Sequence, residues 1–566
     1  RLMFEGPIVK DKASFLIAGR ALNPLISALG SGLAGPGSGY FGFYDLNAKF
    51  NYKISSRDRL FLSGYFGDDR YSLFLNDIIN VDFNNTLDWN NQSVSMRWNR
   101  VFNPVLFSNF TALYSRYRYK FSEMQGGQIG EWEAAISNYT IKADFNYFPS
   151  ATTSFEFGAQ SNYILVNPGE VNGNIGYFNI SEGISNAPQK ALESSVYASA
   201  EFKPVEKLTI QAGARYTLYG YIGDTAVNTY LSGEPLSVDS QTGIERFGKN
   251  EWVKTYGGIE PRFLLNYQLS KRWVAKFNYQ RLFQYVQLIS NTTSTLPIDI
   301  WKLSDVFIEP LKSDMISAGL SWANNDLGLK VTAEGYYKKL NNFIDYKNGA
   351  DLFANVSLET EILSGDGRNY GFELAVNKQN KRLALDLSYT FSRSIRNVNG
   401  RFREEKINSG LDYPSNFDQP HNLNLSVLWK LTDTWTLSSQ FVYRSGRPIT
   451  LPSERFIMDR IEVDLSEDRS TSIFYKPPVI YNVNERNNYR LPDFHRLDIS
   501  IFNRKETKRK NIREWSLGVY NAYGRKNAFA LSFNNAATDE SSSRVQAQKI
   551  SIIGIPVPFV SYSLKF

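Results

Sequence analysis

The chain has 566 residues, with 63 Lys and Arg against 56 Asp and Glu, a net charge of +7 and no cysteine. Without cysteine there is no disulfide framework and no thiolate metal site, and a charge so small for this length is not a nucleic-acid signature. Mean hydropathy is −0.35 and no apolar run approaches the ~18 residues of a membrane helix, which excludes a helical membrane protein but not a β-barrel, whose lipid face takes only alternate residues.

Taken in order, period-2 alternation predicts about 21 strands, many of roughly 10 to 15 residues, against the ~5–6 usual in soluble sheets. Leu2–Ile8 comes first. In Gly42–Ile54, Tyr44, Leu46, Ala48, Phe50, Tyr52 and Ile54 take one face and Asp45, Asn47, Lys49, Asn51 and Lys53 the other. The same two-faced pattern recurs in Leu208–Leu218, Ile259–Leu269, Trp273–Gln280, Leu383–Phe391, Asn422–Trp429 and Arg496–Ile501. It ends in Phe559–Phe566, where Val560, Tyr562, Leu564 and Phe566 alternate with Ser561, Ser563 and Lys565. A chain that stops on an aromatic in mid-face fits a strand closing a membrane barrel, its last ring in the aromatic belt.

The connections alternate in length. Short ones are expected at Val9–Ala13, Ser55–Asp58, Asn103–Val105, Ser150–Thr152, Val205–Lys207, Ser270–Lys271, Asn325–Asp326, Asn380–Lys381 and Thr432–Asp433. Between them fall long polar stretches: Leu22–Gly39, Glu170–Lys190, Tyr221–Val253, Gln287–Leu311, Tyr346–Asp366, Ile395–Gln419 and Gly446–Pro492. Tight turns on one rim and long loops on the other is the asymmetry of an outer-membrane barrel, so the expected fold is all-β, a large antiparallel transmembrane β-barrel. The first and last strands both start at the long-loop rim, which makes the count odd. An even count then requires a strand before Arg1, giving about 22. A barrel that wide is expected to be plugged, and lumenal residues of both signs suit contact with a folded plug: Asp45, Arg215, Glu260, Arg262, Glu373, Arg496 and Asp498.

Several stretches carry a family likeness in this order: Glu5-Gly6-Pro7-Ile8, Phe43-Tyr44-Asp45-Leu46-Asn47-Ala48-Lys49, Gly213-Ala214-Arg215-Tyr216, Glu260-Pro261-Arg262 and Tyr370-Gly371-Phe372-Glu373. Phe417-Asp418-Gln419-Pro420-His421-Asn422, Ser445-Gly446-Arg447-Pro448, His495-Arg496-Leu497-Asp498 and Asn521-Ala522-Tyr523-Gly524-Arg525 continue it. With them the chain resembles the barrel of a TonB-dependent outer-membrane receptor, of the type common in Bacteroidota. The resemblance implies a 22-stranded barrel, an N-terminal plug, import powered by TonB with ExbB and ExbD, and delivery to the membrane by barrel-assembly machinery. Tyr562, Leu564 and Phe566 are its expected assembly signal. No plug and no TonB box stand in this sequence, so the expectation is a barrel domain over 1–566 lacking the plug and first strand. The alternative is a plug-free barrel serving as a structural or docking subunit of a larger outer-membrane complex.

Binding is expected where aromatics adjoin amides in the long loops: Gln284, Tyr285, Gln287, Trp301, Tyr413 and Phe417. Iron chelate, cobalamin, oligosaccharide and peptide all stay open as solutes, as does a surface lipoprotein partner. No catalytic constellation is expected: the two histidines, His421 and His495, lack a nucleophile arrangement. No cofactor or metal is expected either; Asp68, Asp69, Asp77 and Asp82 lack a calcium-loop register and read as an ordinary polar loop. Lys505, Lys508, Arg509 and Lys510 crowd a short turn suited to anionic lipid head groups, not nucleic acid.

Overall fold

The computed structural model describes residues 2–22, 39–76, 82–125, 128–175, 178–185, 187–289, 300–350, 352, 355–451, 454–457, 479–507, 511–535, 545–551 and 554–565. Among them there is no α-helix, and 23 strands belong to one antiparallel sheet. Phe178–Ser185 and Tyr413–Pro414 are short local additions to it; without them the count is the one the alternation predicts.

The chain divides into two units. In the first, Leu2–Val9, Ala13–Ala21, Gly39–Lys53, Asp58–Asn76, Asp82–Asn103, Leu106–Gln125, Gln128–Ser150 and Thr153–Ile175 each pair with the next. Gln189–Val205, Leu208–Ile222, Trp252–Gln268 and Trp273–Gln284 continue the ladder. In the second, the order is Ile362–Gln379, Leu383–Asn397, His421–Lys430, Trp435–Arg444, Phe494–Glu506, Ile512–Tyr520 and Val557–Lys565.

Because register preserves face, each alternating set is carried across neighbouring strands. Leu62 faces Met96, Met96 faces Ala112 and Ala112 faces Ile141; Leu62, Met96 and Ile141 are exposed. Aromatic rings run along the same face, with centroids 5.3 Å apart for Trp98–Phe110, 5.8 Å for Phe110–Phe145 and 5.3 Å for Phe145–Phe157. Tyr114–Tyr139 and Tyr139–Tyr163 follow at 5.0 and 6.3 Å. A continuous apolar face of this extent has to be covered, and lipid is the cover a barrel uses.

Two residues beyond Tyr114 that face changes character. Arg116, Arg118 and Lys120 take its positions, and Arg118 grips Glu133 with two bonds of 2.6 and 2.7 Å while Lys120 reaches Glu131 at 2.6 Å. The strands themselves do not stop there. Gln128–Ser150 has 23 residues, roughly 75 Å of chain at ~3.3 Å per residue, far more than a tilted strand needs to cross an apolar band ~25 Å tall.

All nine short connections fall where expected, and side chains explain their tightness. Ser55 Oγ accepts the Asp58 amide at 3.0 Å, Asn380 Oδ1 the Leu383 amide at 2.8 Å and Thr432 Oγ1 the Trp435 amide at 3.0 Å.

Two expectations change. Glu170–Lys190 is not a plain loop: the strand runs on to Ile175 and pairs with Phe178–Ser185. Its polar residues hid a strand that continues beyond the apolar band, where alternation no longer needs greasy side chains. Asp68 and Asp69 likewise lie inside the strand Asp58–Asn76, on opposite faces, so the pair does not form a loop cluster. Asp77 lies outside the described residues, as does the side chain of Asp82.

Candidate functional site

The polar face carries the lumenal set. Register takes Asp45 to Gly67, Asn91, Tyr117, Ile136, Val166 and Gln189, then from Tyr197 to Arg215 and Glu260. Asp45, Arg215, Glu260 and Arg262 therefore share one face of the first unit. In the second unit the same logic joins Glu373 to Thr390, Asn422, Arg444, Arg496 and Asp498.

Most of these charges are satisfied within the wall. Asp45 accepts a bond from Arg20. Arg215 lies 3.7 Å from Glu193, and the buried Glu260 accepts from Thr217 Oγ1 at 2.7 Å. Arg496 donates to both Asp498 oxygens at 3.0 Å, and its guanidinium sits 3.9 Å from the Tyr520 ring centre. Arg262 and Glu373 alone in the set make no side-chain hydrogen bond or ion pair among the described residues.

At the long-loop rim of the first unit, the hairpin Val286–Ile289 with Ile300–Leu303 packs on the wall. Tyr285 stacks on Tyr219 at 4.6 Å with the rings nearly parallel, and joins Ile164, Val166, Ala191, Tyr221 and Leu303 in a buried cluster. Tyr219 donates to the Ser304 carbonyl at 2.7 Å and Gln189 Oε1 accepts the Leu303 amide at 3.2 Å. Of the expected binding residues here, Tyr285 and Gln287 are each 4% exposed, and Gln287 donates to the Glu309 carbonyl. Trp301 packs edge-on to Tyr117, and Gln284 is exposed but donates to the Val286 carbonyl at 2.7 Å. These four side chains hold the hairpin to the wall.

Lys302 lies in this hairpin, 2.7 Å from Asp305 with both side chains under a tenth exposed. Burial is the largest single influence and lowers its pKa, but the Asp305 carboxylate, with Tyr221 and Glu359 adding to it, holds the ammonium above its ordinary value. A second hairpin, Thr225–Tyr230 with Gln241–Phe247, is tied down by Glu359, which accepts from Asn228 and Tyr230 at 2.8 Å each.

In the second unit two of the quoted motifs meet around one carboxylate. Asp418 is 1% exposed and accepts from Arg393 Nε at 3.2 Å, from the Ser394 amide at 2.6 Å and from Arg490. Gln419 donates to the Ser445 carbonyl at 2.8 Å, the His421 amide to Ser445 Oγ at 3.0 Å and Arg490 to the Gly446 carbonyl at 3.1 Å. Sequence reading singled out these motifs but not Asp418 as their centre, because its partners lie 24 to 72 residues away. Tyr413 is buried beside this knot, paired with Arg396.

Over the knot opens a cavity of about 510 Å³. Phe417, Gln419, Arg444, Arg447, Phe494 and Arg496 are among its walls. Phe417 is 68% exposed. The sequence's candidate binding residue Phe417 and candidate wall residue Arg496 thus share one pocket.

Both histidines lie on the apolar-facing side of their strands, each capped by a tyrosine: His421 with Tyr389 at 2.9 Å and His495 with Tyr523 at 2.7 Å. Tyr562 packs on Trp515 at 4.6 Å, and Tyr562 and Leu564 are exposed on that same side. Lys505 is exposed; Lys508, Arg509, Lys510 and Phe566 lie outside the described residues.

A family model described as TonB dependent receptor-like, beta-barrel matches residues 22–522. Among solved structures, the chain is similar to the siderophore receptor PiuA from Acinetobacter baumannii, at 11% identity and a TM-score of 0.62. That match covers all of this chain and 79% of PiuA. The ferric yersiniabactin uptake receptor FyuA from Yersinia pestis matches at 13% identity and 0.60, covering 100% and 77%. The ferric-catecholate import receptor Fiu from E. coli K12 matches at 11% and 0.58, covering 100% and 79%. No curated protein matches the chain by sequence.

Proposed function

Because the chain belongs to the TonB-dependent receptor-like β-barrel family, and so is an integral outer-membrane protein serving transport, we propose that it actively imports a scarce solute. The observation that carries this is the cavity on the lumenal face of the second unit, open beside exposed Phe417 and braced from behind by the Asp418 knot. A transport barrel needs a capture site held rigidly at its outer rim, and buried charge-assisted bonds supply that rigidity.

In this reading surface loops admit the solute, the rim pocket holds it, and occupancy passes to a plug domain that TonB pulls with ExbB and ExbD. The plug docks on the wall charges Asp45, Arg215, Glu260, Arg262, Glu373, Arg496 and Asp498. Arg262 and Glu373, which have no partner within the described wall, offer it the strongest contacts. Tyr562, Leu564 and Phe566 direct the chain to the barrel-assembly machinery, and a surface lipoprotein sits over the long loops. No covalent step is asked of the protein.

The test is uptake by cells that carry the full-length gene, its deletion, or the gene with TonB removed, screened over iron chelates, cobalamin, oligosaccharides and peptides. Uptake of one class that needs both the gene and TonB is the expected result. Uptake indifferent to TonB, or a native protein found only as a fixed subunit of an outer-membrane assembly, overturns it.

A further inference from the structure

Three guanidiniums and no carboxylate line the rim cavity of the second unit. Arg496 is offset by Asp498. Arg444 and Arg447 are not offset: among the described residues neither makes a side-chain hydrogen bond or ion pair. Their positions are set by structure on either side. Arg444 ends its strand opposite Phe494, and Arg447 follows Gly446, whose amide donates to Asp493 at 2.9 Å. Arg447 is also half withdrawn from water, and burial is the one influence acting on its pKa, downward.

Several wall cations are paired instead, as Arg20 is with Asp45 and Arg215 with Glu193 in the first unit and Arg496 with Asp498 in the second. Arg447 gives up hydration with no side-chain partner among the described residues to return it, and Arg444, three residues earlier, brings a second, exposed guanidinium to the same cavity. Such an arrangement is stable in use when an oxyanion fills the gap, since the planar fork of Arg matches carboxylate and phosphate oxygens two at a time. Three phenylalanines, Phe417, Phe494 and Phe529, line the same space, alongside the polar Gln419 and Asn527.

We propose that this cavity binds a carboxylate or phosphate group carried on a flat, unsaturated body, with Arg444 and Arg447 gripping the oxyanion and the phenylalanines stacking on the body. The proposal rests on the import reading and names the chemical class of its solute. The volume of about 510 Å³ suits the recognised head of a ligand of drug-like size.

The experiment measures equilibrium binding of phenyl phosphate and phthalate, with benzamide as the uncharged comparison, to the full-length protein in detergent by ligand-observed NMR. No TonB is present. The anionic probes are expected to bind and benzamide to bind at least tenfold more weakly, with the preference shrinking as salt rises. Arg444→Gln and Arg447→Gln should each weaken the anions about tenfold, and Arg447→Lys should recover part of that loss. Heat-modifiable gel mobility checks that each variant is folded. Equal binding of charged and neutral probes, or anion binding unchanged in the folded double Gln variant, overturns the proposal. If the probes fail while TonB-dependent uptake persists, the anion site falls and the import reading stands. If the probes bind and uptake ignores TonB, the reverse holds.

Discussion

Removing the Asp418 carboxyl would leave Arg393 and Arg490 facing a buried gap, together with an unpaired Ser394 amide. Breaking a buried ion pair by deleting one partner costs about 3–5 kcal/mol; the two arginines are each about a third exposed, which favours the lower end. Asp418→Ala is therefore expected to leave the strands intact but loosen residues 399–417, read as faster cleavage there in limited proteolysis. Asp418→Asn should fall between. Gly446→Ala tests the same knot from its backbone side: the new Cβ would stand 1.5 Å from the Leu491 carbonyl oxygen. Neither backbone can yield freely, so a loss of about 1–3 kcal/mol is expected, seen as a lower midpoint in denaturant. Asp418 stood inside a recognisable motif, yet nothing in the sequence said it was a hub. Hydrogen-bond partners that meet only after folding leave no local pattern.

Strands and short turns were legible because both are local: alternation reports two faces, and Ser55, Asn380 and Thr432 mark turns through bonds spanning three residues. The long connections were not, since hairpins such as Val286–Ile289 with Ile300–Leu303 are fixed by residues far away, Tyr219 to Ser304 across 85 positions among them. Leu303 is fully buried in that contact, so Leu303→Ala should cost about 2–5 kcal/mol and free the hairpin, measured by hydrogen exchange at residues 300–305. The Lys302–Asp305 pair gives the hairpin a pH dependence. Because the folded pKa of Lys302 is raised, its contribution is complete below the ordinary lysine value of ~10.4 and is lost as pH rises through the folded value. Exchange at 300–305 should accordingly stay flat through neutral pH once corrected for the intrinsic rate, and accelerate only in strong alkali. Acceleration near pH 7 would contradict that assignment.

For the molecule as a whole, the apolar face makes the bilayer part of the fold, and the last strand is where assembly and stability separate. Tyr562 and Leu564 are 49% and 38% exposed and contribute little to any protein core. Replacing both by Ser is expected to cut the folded fraction in cell outer membranes several-fold, while protein that does fold keeps its heat-modifiable mobility; an unchanged folded fraction would remove these residues from assembly. The switch above Tyr114 from rings to the Arg118–Glu133 and Lys120–Glu131 pairs has a consequence of another kind. It is a waterline painted on the outer wall. Sliding the barrel deeper would drown paired ions in hydrocarbon, and lifting it would dry-dock the tyrosines, so immersion depth is set by sequence and not by whichever lipids are at hand. The strands that continue above that line then form a fixed parapet standing clear of the membrane, the part of the cell surface an antibody would meet first.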